Sequence, residues 1–319
     1  MNTVTDTLRI TVGGYQPPES VLNRAVGVFS DSLAESLGAT TNFGAEVVLQ
    51  GNMPQSHGIK AADLLTLVES GELTMCYFSA SYLEARVPEL AVFDLPFVLD
   101  DREKAYALFD GAVGKLIKDR FRALTGFELL GFWDYGFRNF TSGVRPIRTP
   151  ADCAGLTARA MDSDIHKEMF RLLGTEAAHV DVRDLPGAVA DGKIELQENA
   201  LTNFYRFGMH KHHHYVTLTR HLFGLSLFLC HRATFESWPE EVRQAVVRAT
   251  DDATRAQRGF AATEDDEMVE ALRAANNELV FLSDAERNGF IDAMAPIVAQ
   301  QRAKLGDDLV NQVVDHVVG

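Results

Sequence analysis

The amino-acid sequence predicts an α/β protein of two lobes, each a mainly parallel sheet flanked by helices, with one long helix running across both. Three observations carry this expectation. At 319 residues the chain exceeds the usual size of one compact domain. Segments with a two-residue apolar period alternate along it with segments of helical period, the grammar of parallel strands joined by helical crossovers. From Pro239 a charged amphipathic stretch, with Val242, Ala245, Val246, Ala249 and Ala253 on one stripe, continues towards Ala275. About 35 helical residues at about 1.5 Å each are long enough to traverse two lobes.

Taken in order, Leu8–Gly13 (LRITVG) alternates as a strand does. Pro17 and Pro18 lead into a helix over Val21–Leu37, which Gly38 is expected to end. Ala45–Gln50 reads as a second strand, Ala61–Ser70 as helix, Leu73–Phe78 as a buried strand, and Phe93–Phe97 as a strand-like segment carrying Pro96. The same pattern then repeats. Phe127–Phe132 and Arg138–Thr141 read as strands, Pro150–Ala154 as a turn, Leu156–Met161 as strand and Asp164–Leu173 as helix. Val182–Asp191 fits a short helix with Pro186 near its first turn, and Ile194–Gln197 the next strand. After the long helix, Asp284–Val318 is again helical. The lobes are expected as residues 1–135 plus about 225–262, and about 136–224 plus 263–319.

A net charge of −15 argues against nucleic acid or an anionic membrane as partner, because phosphate binding needs clustered Lys and Arg. It leaves room for a small anion, since one or two buried Arg set the local potential against screened distant charges. Cys76, Cys153 and Cys230 are odd in number and far apart, so they suggest buried hydrophobes and neither a disulfide framework nor a metal pair. No run reaches the roughly 18 apolar residues of a membrane span. Met1–Leu8 is polar and lacks the basic start and apolar core of a secretory signal, which taken alone suggests a cytoplasmic chain.

Candidate ligand chemistry concentrates on a few side chains. The alternation of Leu156–Met161 places Arg159 near the carboxyl end of a strand, the edge at which open α/β sheets bind ligands. A planar guanidinium is a natural carboxylate receptor, although a surface Arg on an edge strand has the same spacing. Arg138 stands between aromatics in Phe137–Phe140 (FRNF), with Asn139 placed to orient it or an aromatic ring to hold it. Gln197, Glu198 and Asn199 end a strand ahead of Asn203 and Tyr205, and an Asn amide suits a carboxylate or a hydroxyl. His210, His212, His213 and His214 could hold a metal only in part, because consecutive residues of an extended segment face opposite ways. A phosphate loop, a GxSxG elbow and paired catalytic carboxylates are all missing from the sequence.

Several stretches, in order and together, resemble the solute-binding proteins of tripartite ATP-independent periplasmic (TRAP) transporters. They are Pro88–Phe97 (PELAVFDLPF), Gly136–Thr141 (GFRNFT), Pro150–Met161 (PADCAGLTARAM), Gln197–Ala200 (QENA, where QENP is usual), Tyr215–Thr219 (YVTLT) before His221, and Trp238–Val242 (WPEEV). The resemblance runs from about Leu8 to the carboxyl end. It implies a two-lobed periplasmic binding protein fold with a central cleft, no cofactor and no catalysis, and a monomer that hands a small organic acid to membrane permease subunits. It also implies a periplasmic protein whose signal peptide is not in the given chain. Within it, Arg159 corresponds to the Arg that clamps the ligand carboxylate, Arg138 to a frequent second cationic contact, and Asn199 to the Asn bonded to the bound acid. Tyr15, Gln16, Ser79 and Phe223 are expected as contacts from the opposite lobe, with Asp162 and Val182 near the clamp. Asp181, Val182, Pro186 and Ser79 depart from common family residues, which leaves open a hydroxy or keto acid, a uronic acid or an aromatic acid. Two other readings remain: an enzyme acting on an organic acid with His221 or Asp162 as acid or base, and a metal-dependent sensor built on His210–His214.

Overall fold

A computed structural model describes residues 6–41 and 43–318; Met1–Thr5, Asn42 and Gly319, and with them most of the amino-terminal reading, lie outside the described residues. The chain opens with strand β1 (Asp6–Gly13), helix α1 (Val21–Thr40), β2 (Phe43–Gln50), the single turn α2 (Met53–Ser56), α3 (Asp63–Glu69) and β3 (Met75–Ser79). Ser20 caps α1 by accepting the Asn23 amide. Gly38 does not end that helix: it runs on to Thr40, and both the N–H and the hydroxyl of Thr41 take the Leu37 carbonyl. The strand expected at Phe93–Phe97 is instead a 3-10 helix over Pro88–Asp94, opened by Pro88 in its first turn.

Helices α4 (Arg102–Asp110) and α5 (Ala112–Leu124) follow, then β4 (Phe127–Ser142), β5 (Thr157–Ala160), α6 (Asp164–Leu172), β6 (Glu176–His179), α7 (Leu185–Ala190), β7 (Leu196–Ala200) and α8 (Leu201–Arg206). β4 is one strand of 16 residues where the sequence suggested two; Gly136, at φ +100°, sits at the apparent break. β8 (Tyr215–His231), α9 (Arg232–Ser237), α10 (Glu240–Ala274), β9 (Glu278–Val280), α11 (Asp284–Leu305) and α12 (Asp307–Val318) complete the chain. The 35 residues of α10 fulfil the long-helix expectation, and Gly306, at φ +86°, divides the last two helices. Among the described residues no helix is long and apolar enough to cross a membrane.

The chain forms two compact units. The first comprises residues up to Ser79, Lys118–Tyr135 and Ser226–Ala261; the second comprises Ala80–Ile117, Gly136–Leu225 and the residues from Ala262. Ala80–Ile117, assigned by the sequence to the first lobe, thus packs with the second.

In the first unit β1 pairs parallel with β2 and with β3, and β8 runs antiparallel to β3, so the sheet is mixed. Its core includes Ile10, Val12, Leu22, Phe29 and Leu33, and Trp133 stacks on Phe228 at 4.4 Å.

In the second unit β7 pairs antiparallel with β4 and parallel with β5, which pairs parallel with β6. One face, carrying Phe140, Ala158, Ala160 and Leu196, packs on Ile165, Met169 and Phe170 of α6 and on Phe290, Met294 and Ile297 of α11. A further core joins Leu185, Val189, Phe204, Met209, Met268 and Leu272.

Candidate functional site

Register decides what the second unit's sheet presents. Arg159 pairs with Gln197, Thr141 with Gln197 and Asn139 with Asn199, so these five side chains share one face. Arg138 pairs with Ala200 and Phe140 with Glu198, which puts Arg138 and Glu198 on the other. The two arginines expected to share an anion therefore point to opposite sides of the sheet.

Arg159 is 2% exposed. Its Nε donates to the Val180 carbonyl at 3.0 Å and an Nη to the Tyr82 hydroxyl at 3.4 Å. Both partners are neutral, and among the described residues no carboxylate pairs with it. A buried cation in this state calls for an anion from outside the chain. On the same face the Asn199 amide is fixed by its neighbours. Its Oδ1 accepts from the Ala200 N–H and from Asn203 Nδ2, each at 3.0 Å, which leaves Nδ2 as a donor without a partner among the described residues. Asn203 Oδ1 and Gln197 Oε1 are buried and have no hydrogen-bond partner among the described residues. Val182 lies half-buried two residues beyond the carbonyl that holds Arg159, and Asp162 is exposed and paired with Lys167 at 2.7 Å.

Arg138 has its counter-ion inside the chain. Its Nε bonds one Glu198 carboxylate oxygen, and an Nη bonds the other at 2.8 Å and the Glu198 carbonyl at 2.9 Å. Asn139 does not orient it, because alternation turns the amide away; Asn139 instead donates to Phe137 O and accepts from the Arg220 N–H. Glu198 also meets His166 Nδ1 at 3.0 Å, and His166 Nε2 meets Asp94 at 3.3 Å. Burial alone would raise both carboxyls, but Arg138 and His166 hold Glu198, and His166 holds Asp94, below the usual carboxylate range. Burial alone would lower His166, but Glu198 and Asp94 outweigh it and raise the imidazole.

The network was not recognised in the sequence, although signals existed. His166 falls on the apolar stripe of α6 with Ile165, Met169 and Phe170, and Asp94 interrupts an apolar run; an ionisable group in either setting must find a partner. Tyr82, which touches Arg159, carried no such signal.

Phe223 groups with the unit that holds Arg159, not the opposite one, and packs edge-on against Tyr106 and Phe137 and tilted against Phe109. It is an aromatic core residue because burying a large ring outweighs leaving it on a polar face. In the first unit, Tyr15 and Gln16 follow β1 and Ser79 ends β3, at the carboxyl ends of two parallel strands. Tyr15 packs on Tyr77 and Phe78, and Ser79 lies 3.3 Å from the Tyr135 hydroxyl. Gln16 is 1% exposed, and neither side-chain amide atom has a hydrogen-bond partner among the described residues.

His221 is fully buried, stacks on Phe140 at 4.3 Å and bonds Thr219 at 2.6 Å; burial pushes it down to about 3, so the imidazole is neutral. With Asp162 exposed and tied to Lys167, neither residue is placed as an acid or base beside Arg159. His213 spends both nitrogens on Thr141 and the Ile194 carbonyl, and His210 bonds Tyr205 O. Among the described residues no group of three His, Cys, Asp or Glu could hold a metal ion.

A structure from Sulfurospirillum deleyianum, a TRAP periplasmic solute-binding protein with bound succinate, is 26% identical and covers 98% of this chain and 99% of its own, with a TM-score of 0.88. A sugar acid binding protein from Advenella mimigardefordensis in complex with galactonate superposes with a TM-score of 0.90 at 24% identity, covering 98% of each chain. A solute-binding protein of Verminephrobacter eiseniae is 26% identical over 77% of this chain and 72% of its own. The profile of the DctP family, bacterial extracellular solute-binding protein family 7, matches residues 17–305. The chain therefore belongs to the bacterial extracellular solute-binding proteins of family 7.

Proposed function

We propose that this chain is the extracytoplasmic receptor of a TRAP transporter, capturing a small organic acid by its carboxylate and delivering it to the permease subunits. The observation that carries this reading is Arg159, a buried guanidinium with neutral partners and no carboxylate paired with it among the described residues. Asn199 Nδ2 adds a second donor on the same sheet face. Arg138 supports the site indirectly, as the partner of Glu198, whose sequence neighbours are Gln197 and Asn199. The receptor works as a monomer outside the inner membrane, and the relatives holding succinate and galactonate are consistent with a carboxylate as the shared recognition element.

The test is a thermal-shift screen of organic acids against their neutral amides, followed by titration calorimetry of Arg159→Ala with the best acid. The variant is expected to lose about 2–5 kcal/mol of affinity, because a desolvated carboxylate is left without its cation. Affinity within twofold of the parent would overturn the assignment, and turnover of the acid would revive the enzyme reading.

A further inference from the structure

The second unit contains a cavity of about 290 Å³, near the small end of the range for small-molecule sites. Its walls come from the segment after β3, the start of α6 and the end of α11. The first turn of a helix exposes N–H groups with no intrahelical acceptor. In α6 the Ser163 hydroxyl takes the His166 N–H and the Ser163 carbonyl that of Lys167. The N–H groups of Asp164 and Ile165, both cavity residues, have no partner among the described residues.

An independent observation points the same way. Gln301 is 5% exposed, lines the cavity from within α11, and its side-chain amide makes no hydrogen bond among the described residues. One turn further, Lys304 lines the cavity and forms no ion pair there; Glu168, which feels its charge, is already held by Arg171 at 2.6 and 2.7 Å. The acidic lining is muted. Asp162 is neutralised by Lys167, and Asp164 is exposed. Burial and the neighbouring Asp94 raise Glu84 well above the usual carboxylate range, and its Oε1 has no hydrogen-bond partner among the described residues. Pro88, Ala91 and Leu305 give the wall an apolar stretch, beside the hydroxyl-bearing Ser81 and Tyr82.

We propose that this cavity is a second binding site, for a small organic carboxylate of a few carbons. Its oxygens are received by the Asp164 and Ile165 N–H groups, the Gln301 amide and the Lys304 ammonium, and its hydrocarbon lies against Pro88, Ala91 and Leu305. A bare inorganic oxyanion would use the donors and leave the apolar wall uncovered. The site is distinct from the Arg159 receptor, although Tyr82 contributes to both.

Crystals of the full chain soaked in 3-bromopropionate should show bromine anomalous signal in this cavity; its absence there overturns the proposal. In solution, the Arg159→Ala chain titrated with propionate by saturation-transfer NMR should retain saturable binding. Adding Gln301→Leu and Lys304→Met should weaken it by roughly tenfold. Propionamide should not compete, and phosphate should bind more weakly than propionate. Unchanged propionate affinity after the two substitutions removes the site, and phosphate binding as tightly as propionate removes the carboxylate assignment. Failure of Arg159→Ala to weaken the transported acid would sink the receptor reading alone, because the cavity is read out by Gln301 and Lys304.

Discussion

Two arginines on the strands of the second unit, both nearly inaccessible to water, have opposite relations to charge. Arg138 at 3% exposure is locked to Glu198 through both carboxylate oxygens, within a chain of alternating charges that continues through His166 to Asp94. Arg159 at 2% exposure meets, among the described residues, only a carbonyl and a phenol. The difference teaches how a buried cation whose charge the chain itself compensates differs from one whose partners are neutral. A guanidinium with its counter-ion inside the chain contributes to structure, and removing the partner leaves an uncompensated charge. One without a counter-ion carries an electrostatic cost that a bound anion relieves.

The comparison breaks most directly at Glu198. Glu198→Gln keeps the shape of the side chain and removes the charge that both Arg138 and His166 face, so unfolding free energy by urea titration is expected to fall by about 3–5 kcal/mol. A loss well under 1 kcal/mol would mean that water reaches the network and that the two arginines do not differ as described. The counterpart is Arg159→Met. It removes a charge that has no counter-ion among the described residues and keeps apolar volume, so stability without ligand should change by no more than about 1 kcal/mol while affinity for the acid falls by about 2–5 kcal/mol. A large loss of stability with affinity intact would reverse the assignment of the two residues.

How much of this was readable in the chain follows from what each signal measures. The long helix α10 was legible because 35 residues of unbroken period leave little alternative. Arg159 was legible because β5 is short and its alternation fixes which side chain lies near the carboxyl end. The opposed facing of Arg138 was not, because β4 was read as two segments and its register against β7 is a tertiary fact. The second half of β8, the nearly continuous apolar run Leu222–Cys230, gives no period of two to find, since it is buried on both faces. Phe223 was misplaced for the same reason: within such a run, aromatic residues of a core and of a binding wall look alike.

The charge network also sets a pH dependence, with two windows of opposite sign. His166 is raised by Glu198 and Asp94 against the effect of burial, so its contribution is fully present below the unfolded value of roughly 6.5 and is lost as pH rises through its folded value. Glu198 and Asp94 are lowered, so their contribution is present above roughly 4 and is lost as pH falls through their folded values. The unfolding free energy of the parent minus that of His166→Gln, from urea titrations, should therefore narrow from about pH 7 upward, with a slope of at most about 1.4 kcal/mol per pH unit. A difference that stays flat from about pH 6 to 10 would show that His166 is neutral in the fold.

The smallest expected effect discriminates most finely between a donor to the ligand and its brace. Asn199 and Asn203 touch each other, but the bond from the Ala200 N–H forces Asn199 to present oxygen inward and Nδ2 outward, while Asn203 spends its Nδ2 on Asn199. If Asn199 donates to the bound acid, Asn199→Ala removes one hydrogen bond to a charged acceptor, about 1–2 kcal/mol, or a rise in Kd of roughly five- to thirtyfold. Asn203→Ala removes only the brace and frees Asn199 Oδ1 to keep its bond from the Ala200 N–H, so its effect should be several times smaller in titration calorimetry. Equal losses from the two changes would mean that the pair acts as one rigid unit in recognition. A larger loss from Asn203→Ala would transfer the ligand contact to the buried, unpartnered Asn203 Oδ1, an acceptor, and so would require a hydroxyl or protonated donor on the solute facing it.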